Sequence, residues 1–288
     1  MASLAHTLAL LAMTMATGAM KVVPLHMALD SFDDQYQGCG RKMTEALPAL
    51  NRSEFQQNPL FAQGWAKAAA EWREKGSPVY PLSSPDQAIA IMAYTRDDLY
   101  QEFNAAVRVA GSSPQEYWDN FHFKTLHFLL TQALRTLRDT QGPQCHNVFR
   151  GLDEVQFKAK SGDTVRFGQF ASTSLRETSA RKFGTDTVFQ VHTCLGAAIR
   201  GFSVYPGEKE VLIPPFETFK VTQVTHKENK VQIQLRSTGN YSKYNCEWLK
   251  GDTTDALHGP PGGSITMAPF HLGGLLATTA LAVATGTL

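Results

Sequence analysis

The chain has 288 residues, enough for one large domain or two small ones, and either can bury a sizeable core. A hydrophobic fraction of 43% against 18% charged residues excludes a disordered chain. A formal net charge of +1 gives no electrostatic basis for a nucleic-acid partner or a strongly acidic one.

The first 20 residues contain no Asp, Glu, Lys or Arg. An apolar run from Leu8 to Ala16 leads into the small residues Ala16-Thr17-Gly18-Ala19. That is the layout of a secretory signal peptide, and the run is short for a membrane span. An uncleaved anchor is the alternative. The first half then reads as helical. Helices are expected over 32–50 and 53–75, the second carrying Phe55, Phe61, Trp65, Ala69 and Trp72 near helical spacing. A turn-rich link follows over 76–85, and the apolar run 88–94 reads as a short strand. A helix over 99–110 ends at Gly111. At Ser113-Pro114-Gln115-Glu116, a capping serine precedes a proline suited to the first helical position, and Glu116 can reach back to the cap. The helix so begun is expected to run to Asp139, with a core-facing stripe from Tyr117 to Leu137.

After Gly142-Pro143 the pattern changes. Short runs rich in β-branched and aromatic residues, over 148–150, 164–170, 187–193, 200–205, 219–224 and 230–236, read as strands, with one short helix over 178–183. A helical half followed by a stranded half gives an α+β fold, the helices packed on a mixed β-sheet core. Beyond Asp255 a Gly/Pro-rich spacer leads to an apolar tail ending at Leu288. This is the form of a glycolipid-anchor signal whose tail is removed, with attachment among the small residues between Gly251 and Ala256. A propeptide or a retained tail is the alternative. The expected division is a signal peptide over 1–20, a folded domain over 21–250, and a spacer and removed tail over 251–288.

Four cysteines, Cys39, Cys145, Cys194 and Cys246, accompany these export signals. An even count in an exported chain reads as two disulfides, with three possible pairings. No Cys-x-x-Cys spacing supports zinc or thioredoxin-like chemistry. Asn51-Arg52-Ser53 and Asn240-Tyr241-Ser242 are glycosylation sequons.

Chemistry is expected in the stranded half. Phe149-Arg150-Gly151 ends a strand with an arginine, a residue suited to holding a phosphate bidentately. Phe170-Ala171-Ser172-Thr173-Ser174 presents hydroxyls on alternating positions. In Glu208-Lys209-Glu210 two carboxylates sit two apart before an apolar run closed by Pro214-Pro215. If Glu210 begins a strand, period-two geometry aims both carboxylates one way. Two like charges so placed favour a cation between or beside them, either a charged substrate or a transition state that becomes positive. A carboxylate can stabilise an oxocarbenium-like centre at an anomeric carbon. Other chemistries fit less well. There is no Gly-x-Gly-x-x-Gly, no Walker loop and no Gly-x-Ser-x-Gly elbow, and His122 and His127 do not form a metal motif.

These three motifs in this order strongly resemble the vertebrate arginine-specific ecto-mono-ADP-ribosyltransferases. The resemblance extends over nearly the whole chain, through Ser31-Phe32-Asp33-Asp34-Gln35-Tyr36, the run from Phe123 to Leu130, and Tyr244-Asn245-Cys246. It implies the toxin-like ADP-ribosyltransferase fold, with NAD as co-substrate and no metal, the leaving nicotinamide already carrying the positive charge. It implies that Arg150 holds the NAD pyrophosphate and Ser172 orients the nicotinamide-ribose end. Glu210 would be the catalytic carboxylate, Glu208 the residue that positions the acceptor guanidinium, and Phe183 a stacker on nicotinamide. Lys209, between the two carboxylates, is expected to point away from them. The implied disulfides are Cys39–Cys246 and Cys145–Cys194. The implied partners are arginine-bearing extracellular or surface proteins. The enzyme is expected to be a monomer, held at the cell surface by a lipid anchor, or secreted or stored in granules. NAD hydrolysis, with water as the acceptor, is the same-chemistry alternative. A catalytically inactive surface binding glycoprotein is the alternative of another class.

Overall fold

The computed structural model describes residues 20–142 and 144–255. Residues 1–19 of the expected signal segment, and the tail beyond residue 255, lie outside the described residues. The elements, in chain order, are β1 (Lys21–Pro24), α1 (Gly40–Gln57), α2 (Pro59–Glu74), α3 (Pro85–Tyr94), α4 (Tyr100–Val109), α5 (Pro114–Asn120), α6 (Lys124–Gln141), β2 (His146–Leu152), β3 (Val155–Lys158), β4 (Thr164–Val165), β5 (Ala171–Ser174), α7 (Glu177–Ala180), β6 (Thr187–Thr193), β7 (Ala197–Ala198), β8 (Glu210–Ile213), β9 (Glu217–Lys227), β10 (Lys230–Asn240) and α8 (Glu247–Asp255). Single 3₁₀ turns lie at Arg181–Phe183 and Pro206–Glu208. The α+β reading holds.

Eight strands form one sheet in the order β4-β9-β10-β6-β2-β5-β8-β7, mixed because β10 runs parallel to β6 while its other pairings are antiparallel. A separate parallel pair joins β1 to β3. The helices share a core with one end of the sheet, built around Phe32, Phe103, Phe121, Phe128 and Phe170. A second core, with Val148, Phe189, Phe219 and Ile233, fills the strands' other face.

Several boundaries differ from the sequence reading. The run 88–94 is helix α3, not a strand. Ser84 caps Gln87 N–H, Pro85 occupies the first turn, and every residue from Gln87 to Tyr94 is buried. An apolar run buried on all sides carries no period to separate helix from strand. The expected helix over 53–75 is broken at Asn58, whose side chain caps Phe61 N–H one residue before Pro59. The expected helix over 114–139 is two helices, because Glu54 reaches across to accept from the N–H groups of Lys124 and Thr125 (2.5 and 2.9 Å) and starts α6 there. Ser113 caps α5 as expected, but Glu116 turns to Asn120 instead of reaching back. Residues 200–205 form turns, not a strand, with Ile199 C=O accepting from Phe202 and Ser203. Only Thr164–Val165 of the expected 164–170 strand pairs with a neighbour, since Arg166 leaves the sheet to enter the core.

Residues 32–39 are not helical as expected, because they serve as a clasp. Asp34 accepts from Tyr36, Cys246 and Glu247 N–H, and Asp33 from Lys243 and Tyr244 N–H. Arg166 pairs with Asp33 at 2.6 Å, both side chains wholly buried, and three further N–H groups donate to the carbonyls of Met27, Ala28 and Tyr241. A buried ion pair offsets its desolvation only when its other hydrogen-bonding positions are met, and here four of the five guanidinium N–H groups have a partner. The disulfides Cys39–Cys246 and Cys145–Cys194 form as the resemblance implied, closing separations of 207 and 49 residues. In the chain-entropy view such loops contribute about 4–5 kcal/mol each.

Asp33→Ala strands the Arg166 guanidinium without its counter-charge and should cost about 3–5 kcal/mol in urea unfolding. A loss below about 1 kcal/mol would contradict a structural role for the pair.

Candidate active site

The cleft is built on three adjacent strands. β2 carries Arg150, β5 carries Ser172 and β8 begins at Glu210, and these strands lie side by side in the order β2-β5-β8. Neighbouring strands are about 4.8 Å apart, so three motifs far apart in sequence become one row. Arg150 donates to the Ser172 carbonyl at 2.7 Å, which fixes the guanidinium across the strand boundary. The cleft has a volume of about 700 Å³ and takes in Arg150, Ser172, Phe183, Glu208 and Glu210 together. All five expected chemical residues therefore meet.

The Ser-Thr-Ser run divides its labour. Thr173 Oγ1 donates to the Val211 carbonyl and Ser174 Oγ to that of Glu208 (2.5 and 2.6 Å), so both hold the acidic turn against β5. All three line the cleft, but the Ser172 hydroxyl is not tied to that turn. The expected period-two geometry of the carboxylates does not apply. Glu208 lies in the 3₁₀ turn, and Lys209 between them is left-handed at φ 51°. That reversal is what brings both carboxylates to the cleft while Lys209 is absent from its lining. Gly151 has its own task. A Cβ there would collide with the carbonyls of Gly184 and Ala180, so glycine lets the 177–184 segment close onto β2. This delivers Phe183, 59% exposed, to the cleft wall.

Glu210 is the most perturbed acid in the cleft. It is 6% exposed, and burial pushes its carboxyl up to about 7. The Ser172 hydroxyl and the Arg150 charge pull it down, while Glu208 pushes it further up. Glu208 is itself raised, first by burial and then by Asp97. Burial lowers Arg150, and Tyr94 and Glu210 oppose that.

Lining residues that the sequence reading missed are Tyr94, Asp97, Asn104 and Arg108 from the helical half and Tyr205 from the stranded half. The wholly buried Tyr94 hydroxyl donates to the Phe170 carbonyl (2.9 Å), accepts from Asn104 Nδ2 (3.2 Å) and lies 3.3 Å from Ser172 Oγ. It supports the serine from behind. Tyr205 donates to Asp97 at 2.7 Å on the rim beside Glu208. A tyrosine closing an apolar run was the available signal for Tyr94, but reading that run as a strand placed it elsewhere.

If Glu210 has the role that the resemblance implies, beside a developing cation, it must be ionised to act. NAD turnover at low NAD should therefore rise with pH through about 7. The Glu208→Gln substitution removes a charge that raises Glu210, so it should move that limb to lower pH. A flat profile between pH 5 and 8 would contradict the assignment.

Comparison with known proteins agrees with this geometry. The family model for NAD:arginine ADP-ribosyltransferases matches residues 25–243. The erythroblast NAD(P)(+)--arginine ADP-ribosyltransferase of Gallus gallus is 51% identical over 239 residues, covering 81% of this chain and 78% of its own. The GPI-linked NAD(P)(+)--arginine ADP-ribosyltransferase 1 of Homo sapiens is 48% identical, covering 79% and 75%. The crystal structure of the eukaryotic mono-ADP-ribosyltransferase ART2.2 superposes with a TM-score of 0.69 at 35% identity, covering 78% of this chain and 98% of that one. A variant of ART2.2 was solved in complex with NAD, with a TM-score of 0.68 at 35% identity, covering 78% and 98%. Motif order, strand adjacency and overall likeness converge, and the chain belongs to the NAD:arginine ADP-ribosyltransferase family.

Proposed function

We propose that this cleft transfers a single ADP-ribose from NAD to an arginine side chain, releasing nicotinamide, with the work divided among Arg150, Ser172, Phe183, Glu208 and Glu210. The observation that carries this reading is the row formed by Arg150, Ser172 and Glu210 on three adjacent strands, with a second carboxylate, Glu208, at the same cleft. Arg150 holds the pyrophosphate, its fork suiting two anionic oxygens. Ser172 orients the nicotinamide ribose, and Phe183 stacks on the nicotinamide ring. The bond from nicotinamide to the anomeric carbon breaks with its electron pair leaving on nicotinamide. The cation left on the ribose is stabilised by Glu210. A preorganised group aimed at developing charge is commonly worth ~10²–10³-fold in rate, and more where water is excluded.

The acceptor guanidinium is protonated in water and must lose a proton as its nitrogen bonds to the anomeric carbon. Glu208 is suited to holding it and to taking that proton, because burial and Asp97 raise its affinity for one. Asp97 and Tyr205 add an acidic, hydrogen-bonded rim on the same side. Water in place of the guanidinium gives NAD hydrolysis from the same intermediate, and Glu208 is what favours transfer.

The targets are arginine-bearing proteins met outside the cell or on its surface. Related chains are described as GPI-linked, which supports a lipid anchor at the cell surface. Among the described residues no helix is long and apolar enough to cross a membrane. Of the two sequons, Asn240 is the better placed acceptor for a glycan, being exposed at the end of β10, whereas Asn51 is half-buried within α1.

Glu208→Gln separates the two acceptors. Transfer to agmatine or an arginine-rich protein should fall at least tenfold further than nicotinamide release without an acceptor. Equal loss of both would remove the acceptor role from Glu208.

A further inference from the structure

A second cavity, of about 730 Å³, lies between α6 and the chain segments beside the Cys145–Cys194 disulfide and shares no lining residue with the catalytic cleft. Two guanidinium groups, Arg135 and Arg138, face it from successive turns of α6, against one carboxylate, Asp139. Arg135 donates from Nη2 to the Gln35 carbonyl at 2.6 Å, and Arg138 pairs with Asp139 at 3.1 Å. Among the described residues most of their ten N–H positions are not taken. Thr131, one turn earlier on the same helix and 2% exposed, lines the cavity too, and its buried hydroxyl oxygen has no partner among the described residues. A buried hydroxyl without a partner costs stability, so its retention in a polar cavity points to something that pairs with it. Phe216 supplies an apolar wall.

We propose that this cavity is a second ligand site, separate from the NAD cleft, for a sulfate or phosphate monoester carried on a polar ring. Arg138 and the unused edge of Arg135 take the anionic oxygens, the Thr131 hydroxyl donates to the ester group, and the ring lies against Phe216. The two guanidinium charges repel each other, and burial and Arg138 both lower the Arg135 pKa. A bound dianion relieves that repulsion. The inference stands apart from the catalytic reading, since it uses none of those residues.

The test is calorimetric titration of the folded mature protein with two probes, a heparin-derived sulfated disaccharide and glucose 6-phosphate. Saturable binding of either is expected, and which one binds identifies the ester. Arg138→Gln should weaken binding about tenfold or more, the loss of one charge-assisted hydrogen bond. Thr131→Val should weaken it as well while leaving the unfolding temperature unchanged or raised, because it removes an unpaired hydroxyl. A merely structural threonine would lower that temperature. Arg150→Gln, in the catalytic cleft, should leave binding intact. The proposal is overturned if neither probe binds, if both cavity variants bind as well as the parent, or if Arg150→Gln abolishes binding, which would place the anion in the NAD cleft.

Discussion

On the proposed reaction, keeping a carboxyl group buried where positive charge must appear is the constraint on which the site depends. Glu210 is almost inaccessible, and burial alone favours its neutral acid. The Ser172 hydroxyl and Arg150 act against burial and favour the ionised form that the proposed reaction needs. That balance requires three side chains from strands distant in sequence to be held in fixed relation. The β2-β5-β8 ladder provides it through backbone pairing, Ser172 opposite Leu212 and Ser174 opposite Glu210. The hydroxyls of Thr173 and Ser174 then lock the acidic turn to the same ladder. The arrangement opposes stability. The unfolded carboxyl ionises near 4.5 and the folded one near 7, so raising pH across that window releases more protons from the unfolded chain and lowers folding stability. Function is held here against the fold's own preference.

The helical half supports this row without supplying its charges. Tyr94 and Asn104 brace the Phe170 carbonyl and stand behind Ser172, which ties α3 and α4 to the strand that carries the serine. The clasp of Asp33, Asp34 and Arg166 draws the chain's early segment, the β4 region and the last helix together, and Cys39–Cys246 closes it covalently. His127, wholly buried, belongs to the same support. Its ring meets the Tyr36 hydroxyl and the Phe32 carbonyl, and burial lowers it to about 3. It is neutral when folded and binds a proton when unfolded below about 6.5, so it contributes stability that is lost as pH falls below that value. Glu210 and His127 thus tilt stability with pH in opposite directions.

Much of this was legible in the sequence, because the legible parts are local. Ser113-Pro114 marked a helix start, strands β2, β6, β9 and β10 announced themselves by β-branched alternation, and Glu-Lys-Glu before an apolar run gave the acidic turn. What could not be read depends on contacts across the fold. Glu54 starts a helix 70 residues away, a fact no local window contains. Asp33 and Asp34 look like helix-entry residues until the groups they bind, more than 200 residues later, are in place. The α3 run lacks period because it is buried all round, and its misreading hid Tyr94. The carboxylates were expected to share a direction by strand period, yet the left-handed Lys209 is what aligns them.

The central claim, that Glu210 stabilises the cation formed as nicotinamide leaves, is tested most directly by measuring nicotinamide release and NAD affinity in parallel for Glu210→Gln. The substitution keeps shape and removes charge. Release should fall by at least ~10²–10³-fold with NAD affinity and fold preserved. Release at the parental rate in a folded, NAD-binding Glu210→Gln protein would contradict the account.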